Sequence, residues 1–126
     1  MENLKLSSLP KTWIFDLDGT ILVHNGYKNG GDRILPGVKE FFDKIPETDY
    51  ILILTARKEE VLESSIKFLK DNGIRYNEIL ADIPFGERIL LNDMKDSGLK
   101  TAYAINLKRD DSVTVVSSWF VFPSLE

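Results

Sequence analysis

The sequence predicts an α/β fold in which a parallel sheet is flanked by helices, and three observations carry that prediction. Short continuous apolar runs, Trp13-Ile14-Phe15, Tyr50-Ile51-Leu52-Ile53-Leu54 and Ile89-Leu90-Leu91, have the length and side-chain types of buried parallel strands. Stretches with apolar residues at helical spacing lie after the first two runs. Each run also ends in polar groups: Asp16 and Asp18, then Thr55 and Arg57, then Asn92, Asp93 and Lys95. In a parallel sheet with helical crossovers those ends share one edge, where open α/β sheets receive their ligands.

Length and composition set the frame. At 126 residues the chain is read as one domain spanning 1–126, with a flap at about 20–35 and an apolar C-terminal tail at about 112–126. Its 43% hydrophobic and 29% charged residues are ordinary for a globular protein. The net charge of −4, with acids and bases interspersed, argues against a broad nucleic-acid footprint. There is no cysteine, so neither a disulfide nor thiolate chemistry, and the reducing cytoplasm is the expected compartment. No apolar run approaches the ~18 residues of a membrane span, and the first ten residues lack a signal-peptide core.

In chain order, Met1 to Pro10 is expected to be a partly ordered arm, and Lys11 to Asp16 a buried central strand. From Thr20 to Pro36 the chain is rich in turn formers and is read as a loop or β-hairpin flap placed to cover the carboxylates. Pro36 to Ile45 is a predicted helix, with Pro36 in its first turn and Val38, Phe41, Phe42 and Ile45 on one face. Asp49 to Leu54 is the second strand. A helix from about Lys58 to Asn72 follows, with Val61, Leu62, Ile66 and Leu69 inward, Glu59 and Glu60 in its first turn and Asn72-Gly73 at its end. Ile74 to Asp82 is a short third strand, Arg88 to Leu91 another buried one, and Thr101 to Leu107 a further strand. The tail from Val113 to Phe122 ends in aromatic rings that would expose ~150–250 Å² each if left bare, so it is expected to dock on its own chain or on a neighbouring subunit.

The chemistry concentrates at Asp16 and Asp18. Acids at i and i+2 of an extended chain point to the same side. Two such charges repel, and a bound cation is the common remedy. Thr55, between a strand and a helix N-terminus, either caps that helix or contacts a phosphate. Arg57 beside it could bind an anionic or hydroxyl-rich leaving group, although a salt bridge to Glu59 or Glu60 is simpler. His24, Asn25, Tyr27 and Lys28 are flap candidates, and a lone histidine in such a loop is usually just solvated.

These residues carry a resemblance. Asp16-Leu17-Asp18-Gly19-Thr20 resembles the first motif of the haloacid dehalogenase-like superfamily, DxDGT after an apolar strand. Ile51 to Thr55 resembles its second motif and Ile89 to Asp93 its fourth, so the match in order spans Trp13 to about Lys95. Arg88 to Leu107 resembles small bacterial members, some associated with capsule or surface-polysaccharide genes. The resemblance implies a Rossmann-like fold and a Mg²⁺-dependent phosphomonoester hydrolase working through an aspartyl phosphate. Asp16 would be the nucleophile and a metal ligand. Asp18 would be the acid and base, binding Mg²⁺ through its backbone carbonyl, and Asp93 would be a further ligand with Asn92 nearby. Thr55 would hold a phosphoryl oxygen, with Gly19, Ala56 and Arg57 lining the substrate side. The short flap and single intervening helix imply a member with no cap domain and an open site. A small-molecule phosphomonoester, either a sugar phosphate or a nucleotide-linked glycan intermediate, is the expected substrate, by analogy alone.

The departure is the third motif, a cation that neutralises the nucleophile. Ile83 stands before Pro84 where relatives often have lysine. Lys95 and Arg88 are the substitutes. Arg88 would lie ~16 Å from the site along a straight strand, which favours Lys95. Alternatives are a binding or regulatory module on the same fold, with turnover weakened by the missing lysine, and a phosphotransferase, which would normally need a cap to exclude water.

Overall fold

The computed structural model describes residues 3–4 and 6–120. Its elements in chain order are β1 (Thr12–Asp16), α1 (Val38–Lys44), β2 (Tyr50–Leu54), α2 (Glu59–Asp71) and β3 (Glu78–Leu80), with single 3-10 turns at Gly26–Lys28, Val113–Val115 and Ser117–Trp119. The fold is α/β: a three-stranded parallel sheet in the order β1-β2-β3, with a helix in each crossover. Thr12 pairs with Tyr50 and Asp16 with Leu54, while Leu52 pairs with Glu78 and Leu54 with Leu80. Asp16, Leu54 and Leu80 therefore end on one edge. Backbone bonds extend the register past the strands, from Leu17 N–H to the Leu54 carbonyl at 3.2 Å and from Thr55 N–H to that of Leu80 at 2.9 Å. Among the described residues no helix is long and apolar enough to cross a membrane.

The core forms on one face of the sheet. Alternation along β1 and β2 sends Phe15, Ile51 and Ile53 into it, with Trp13 packed alongside, while Ile14 is half exposed. Val38, Phe41, Phe42 and Ile45 from the α1 region, Leu69 from α2, and Leu17, Ile21, Leu22 and Leu35 from the loop complete it. Fully burying one such side chain stabilises the fold by roughly 1.5–3 kcal/mol. Phe15 and Phe42 have ring centroids 4.5 Å apart, and Trp13 meets Phe41 edge-on at 5.8 Å. The buried Asp49 is satisfied by Trp13 Nε1–H at 2.9 Å and Lys11 N–H at 3.0 Å. Leu52 and Leu54 are only half-buried, so β2 is not covered on both faces as its unbroken apolar run predicts.

The tail docks on its own chain. Val113 and Val116 are buried, and Phe120 lies 5.3 Å from Trp13 and 5.5 Å from Phe41. Leu4 N–H bonds to the Trp119 carbonyl at 2.9 Å, tying the N-terminal arm to the tail. Gly37 makes room for this clasp. It sits at φ +78°, and a Cβ there would fall 2.1 Å from Thr114 Cγ2. Val121 and Phe122, part of the predicted tail, lie outside the described residues, as do Met1, Glu2 and Lys5 of the arm.

Two predicted strands are not strands. Among the described residues Arg88–Leu91 and Thr101–Leu107 have no ladder partner, and Ile89 and Leu91 are 83% and 86% exposed. The physical reason is local. Asn92 Nδ2 donates to the Thr101 carbonyl at 3.2 Å and to its Oγ1 at 2.9 Å, Thr101 Oγ1 donates to the Asp93 carbonyl, and a turn closes from Gly98 N–H to the Lys95 carbonyl at 2.8 Å. These bonds join residues 92–101 to one another, and among the described residues no backbone bond ties Arg88–Leu91 to the sheet. The flap also differs from a projecting hairpin. One antiparallel bridge, Leu22 to Ile34, closes its neck, and Ile21, Leu22 and Leu35 are buried in the core.

Candidate functional site

The site begins where β1 ends. Asp16 is the last residue of the strand and Asp18 follows two residues on, both lining one cavity of about 410 Å³, while Leu17 between them is fully buried. This is the same-side arrangement that the i, i+2 spacing predicts. The chain then folds back sharply: Ile21 N–H and Leu22 N–H both bond to the Leu17 carbonyl at 3.0 Å, and Gly19 N–H bonds to that of Leu22 at 2.7 Å. Gly19 adopts φ +86°, where an L side chain is strained, and a Cβ there would come 3.3 Å from Arg109 Cγ. The turn thus favours glycine, and a larger residue would also push the Arg109 stem aside by a few tenths of an ångström.

Arg57 organises the other wall. Its Nε–H and Nη2–H grip Asp18 at 3.0 and 2.7 Å, Nη1–H and Nη2–H grip Asp32 at 2.9 and 2.8 Å, and Nη1–H also reaches Ser65 Oγ at 2.9 Å. Those bonds use every N–H donor of the guanidinium. Tyr27 lies with its ring centroid 4.1 Å from the guanidinium carbon. The side chain is buried, and burial opposes its charge, but bonds to Asp32 and Asp18 outweigh burial and hold the cation firmly protonated. This corrects the expected ion pair with Glu59 or Glu60. The Asp18 and Asp32 carboxylates lie nearer and present forks that match guanidinium geometry. Arg57 still lines the cavity, but as arranged it has no donor left for a leaving group.

Thr55 is buried and does not line the cavity. Its hydroxyl accepts from Arg57 N–H at 3.0 Å, so it organises the turn that carries Arg57; Lys58 is the residue at the N-cap of α2. Ala56 and Gly19 line the cavity, as do His24, Asn25, Tyr27 and Lys28 from the flap.

The cation beside Asp16 is Arg88. Its Nη1–H lies 3.2 Å from Asp16 Oδ1, and Lys95 is not among the residues lining the cavity. The preference for Lys95 assumed a straight strand from Arg88 to Asp93, and that strand does not form. Burial pushes the Asp16 carboxyl above its ordinary range, Arg88 pulls it down, and the neighbouring Asp18 adds to the rise. Asp93 and Asn92 also lie off the cavity, engaged with Thr101.

The donor set for a divalent cation is correspondingly thin. Both Asp18 oxygens are on Arg57, Asp93 is not part of the cavity lining, and among the described residues no group of three or more Asp, Glu, His or Cys could hold a metal ion. The side chains as arranged do not fit Mg²⁺.

Sequence reasoning misses Asp32, Arg109 and Asp110. Asp110 N–H bonds to the Gly19 carbonyl at 3.0 Å, and Asp110 Oδ1 accepts from His24 N–H at 2.8 Å, which brings Arg109 onto the cavity wall. The charged run Lys108-Arg109-Asp110-Asp111 was the available signal, although such runs usually mark a solvated face. Protein-family models, curated proteins and solved structures were all searched, and none matches this chain.

Proposed function

We propose that this chain is a phosphomonoester hydrolase of the haloacid dehalogenase-like type, with a Rossmann-like core and no cap domain. The observation that carries the reading is the pair Asp16 and Asp18 at the C-terminal end of β1, facing one polar cavity, with Arg88 on Asp16. An Asp16 oxygen attacks phosphorus; the new O–P bond forms as the bond to the leaving oxygen breaks. The leaving oxygen takes a proton from Asp18. A water then attacks the aspartyl phosphate, passes its proton to Asp18, and releases phosphate with Asp16 regenerated. Arg88 offsets charge at the nucleophile and at the transferring phosphoryl group. On this reading Asp18 exchanges protons only when one of its oxygens leaves Arg57.

Magnesium is the cation this chemistry implies by resemblance, and the side-chain donor set as arranged does not fit it. The test is release of phosphate from p-nitrophenyl phosphate, with added Mg²⁺ and with EDTA, beside an Asp16→Asn control. Turnover that the substitution abolishes supports the reading, and a wild-type rate equal to the control refutes it.

A second reading is favoured by the saturation of Arg57 and Asp18: a phosphoanion-binding module without turnover. It predicts that wild type binds phosphate but is no faster than Asp16→Asn.

A further inference from the structure

We propose that the ligand of this cavity is a phosphomonoester whose leaving group carries a second anion, a carboxylate or another phosphate, held by Arg109 and Lys28. The identity of the first anion rests on the hydrolase reading above; the second does not require turnover. The argument is one of charge placement. Of the four cationic side chains lining the cavity, Arg57 is satisfied by Asp18 and Asp32, and Arg88 is paired with Asp16. Arg109 and Lys28 have no carboxylate within ion-pair distance among the described residues. A phosphoryl group at Asp16 meets Arg88 and leaves these two cations unanswered.

Both are positioned by the fold. The stem of Arg109 passes over Gly19, so close that a Cβ there would touch it at 3.3 Å. The residue after it is fixed twice, by Asp110 N–H to the Gly19 carbonyl at 3.0 Å and by His24 N–H to Asp110 Oδ1 at 2.8 Å. The Asp110 carboxylate is thereby engaged with flap backbone rather than with Arg109. Lys28 ends the Gly26–Lys28 turn, with Nζ 5.5 Å from the centroid of the Tyr27 ring that also covers Arg57. Two cations delivered from separate segments to the cavity that Asp16 lines form a second anion subsite, and about 410 Å³ is room for a small bis-anionic metabolite.

The experiment compares glycerol 2-phosphate with 2-phosphoglycerate, which differ by a carboxylate in place of a hydroxymethyl group. Binding to the Asp16→Asn protein is measured by calorimetry at low and physiological salt. The expected result is binding at least about tenfold tighter for 2-phosphoglycerate. Adding Lys28→Ala and Arg109→Ala brings the ratio of the two Kd values to about one, while Arg109→Lys keeps part of the preference. Equal affinities, absence of binding by either ligand, or a preference that survives the double substitution in a protein with an unchanged circular dichroism spectrum would each overturn the proposal. Failure of the hydrolase reading is scored separately, by turnover of glycerol 2-phosphate in the wild type. Selective binding of 2-phosphoglycerate without turnover would sink the catalysis and leave the anion subsite standing.

Discussion

Replacing Arg57 with methionine tests the central feature of the site. The side chain is 2% exposed and its partners are little more so, Asp32 at 9% and Asp18 at 19%. Methionine keeps the stem but removes every charge-assisted bond. Breaking a buried ion pair by deleting one partner costs about 3–5 kcal/mol, because the remaining carboxylate stays desolvated without compensation. Asp32 is the more buried orphan and sets most of that cost. Against a typical domain stability of about 5–15 kcal/mol the loss is large, corresponding to a fall of roughly 10–20 °C in Tm. The assay is urea unfolding followed by tryptophan fluorescence. Arg57→Met should lose about 3–5 kcal/mol, and the double variant Arg57→Met with Asp32→Asn should recover about 1–3 kcal/mol by removing the orphan charge. A single-variant loss below about 1 kcal/mol would mean that Arg57 is a surface residue. A double variant less stable than Arg57→Met would mean that Asp32 is held by something other than Arg57.

The remaining predictions concern the segment that carries Arg88. Arg88 and Asp16 are both more than a third exposed, and such a pair contributes about 0–1 kcal/mol, so Arg88→Gln should leave unfolding nearly unchanged. On the proposed hydrolase reading its effect belongs in the pH–rate profile. Asp16 would have to be ionised to attack, burial already raises its pKa, and Arg88 lowers it, so removing Arg88 shifts the acidic limb to higher pH; an unmoved limb would exclude Arg88 as its partner. Ile89→Ser with Leu91→Ser should change stability by less than about 0.5 kcal/mol per site, since both side chains are in solvent. Losses of about 2 kcal/mol or more at either position by urea unfolding would mean that this run is buried.

What the sequence reveals depends on whether a signal is local. The three strands and two helices that form were legible because each couples a period to a boundary: Phe41, Phe42 and Ile45 on one helical face, Tyr50 to Leu54 between an acid and a hydroxyl. Asp16 and Asp18 were legible as a same-side pair because strand alternation fixes it. The partner of Asp18 was not. Asp32 lies 25 residues before Arg57 in sequence and Asp18 lies 39 before it. No spacing rule connects a flap acid to a strand-end arginine; only the folded loop, its neck closed at Leu22 and Ile34, brings them together. The same holds for Arg109, placed by the bonds that the N–H and the carboxylate of Asp110 make to a loop far upstream.

The error at residues 88–91 and the discovery of the Arg88–Asp16 pair have one cause. An apolar run of strand type gains from burial only if a neighbouring edge and a covering layer accept it. Here Asn92, Asp93 and Thr101 close on one another instead, and the run stays outside the sheet. Had it been a straight strand ending at Asp93, Arg88 would lie ~16 Å from the sheet edge that carries Asp16, beyond the reach of its side chain. Released from the sheet, the chain leading through Pro84, Phe85 and Gly86 runs along the cavity, and Arg88 arrives at 3.2 Å from Asp16. The two experiments on this segment are therefore coupled. If Ile89 and Leu91 prove buried, Arg88 must be withdrawn from Asp16, and the acidic limb of the Arg88→Gln profile should not move. If they prove exposed, the guanidinium is free to serve as the charge partner that the missing lysine before Pro84 leaves open.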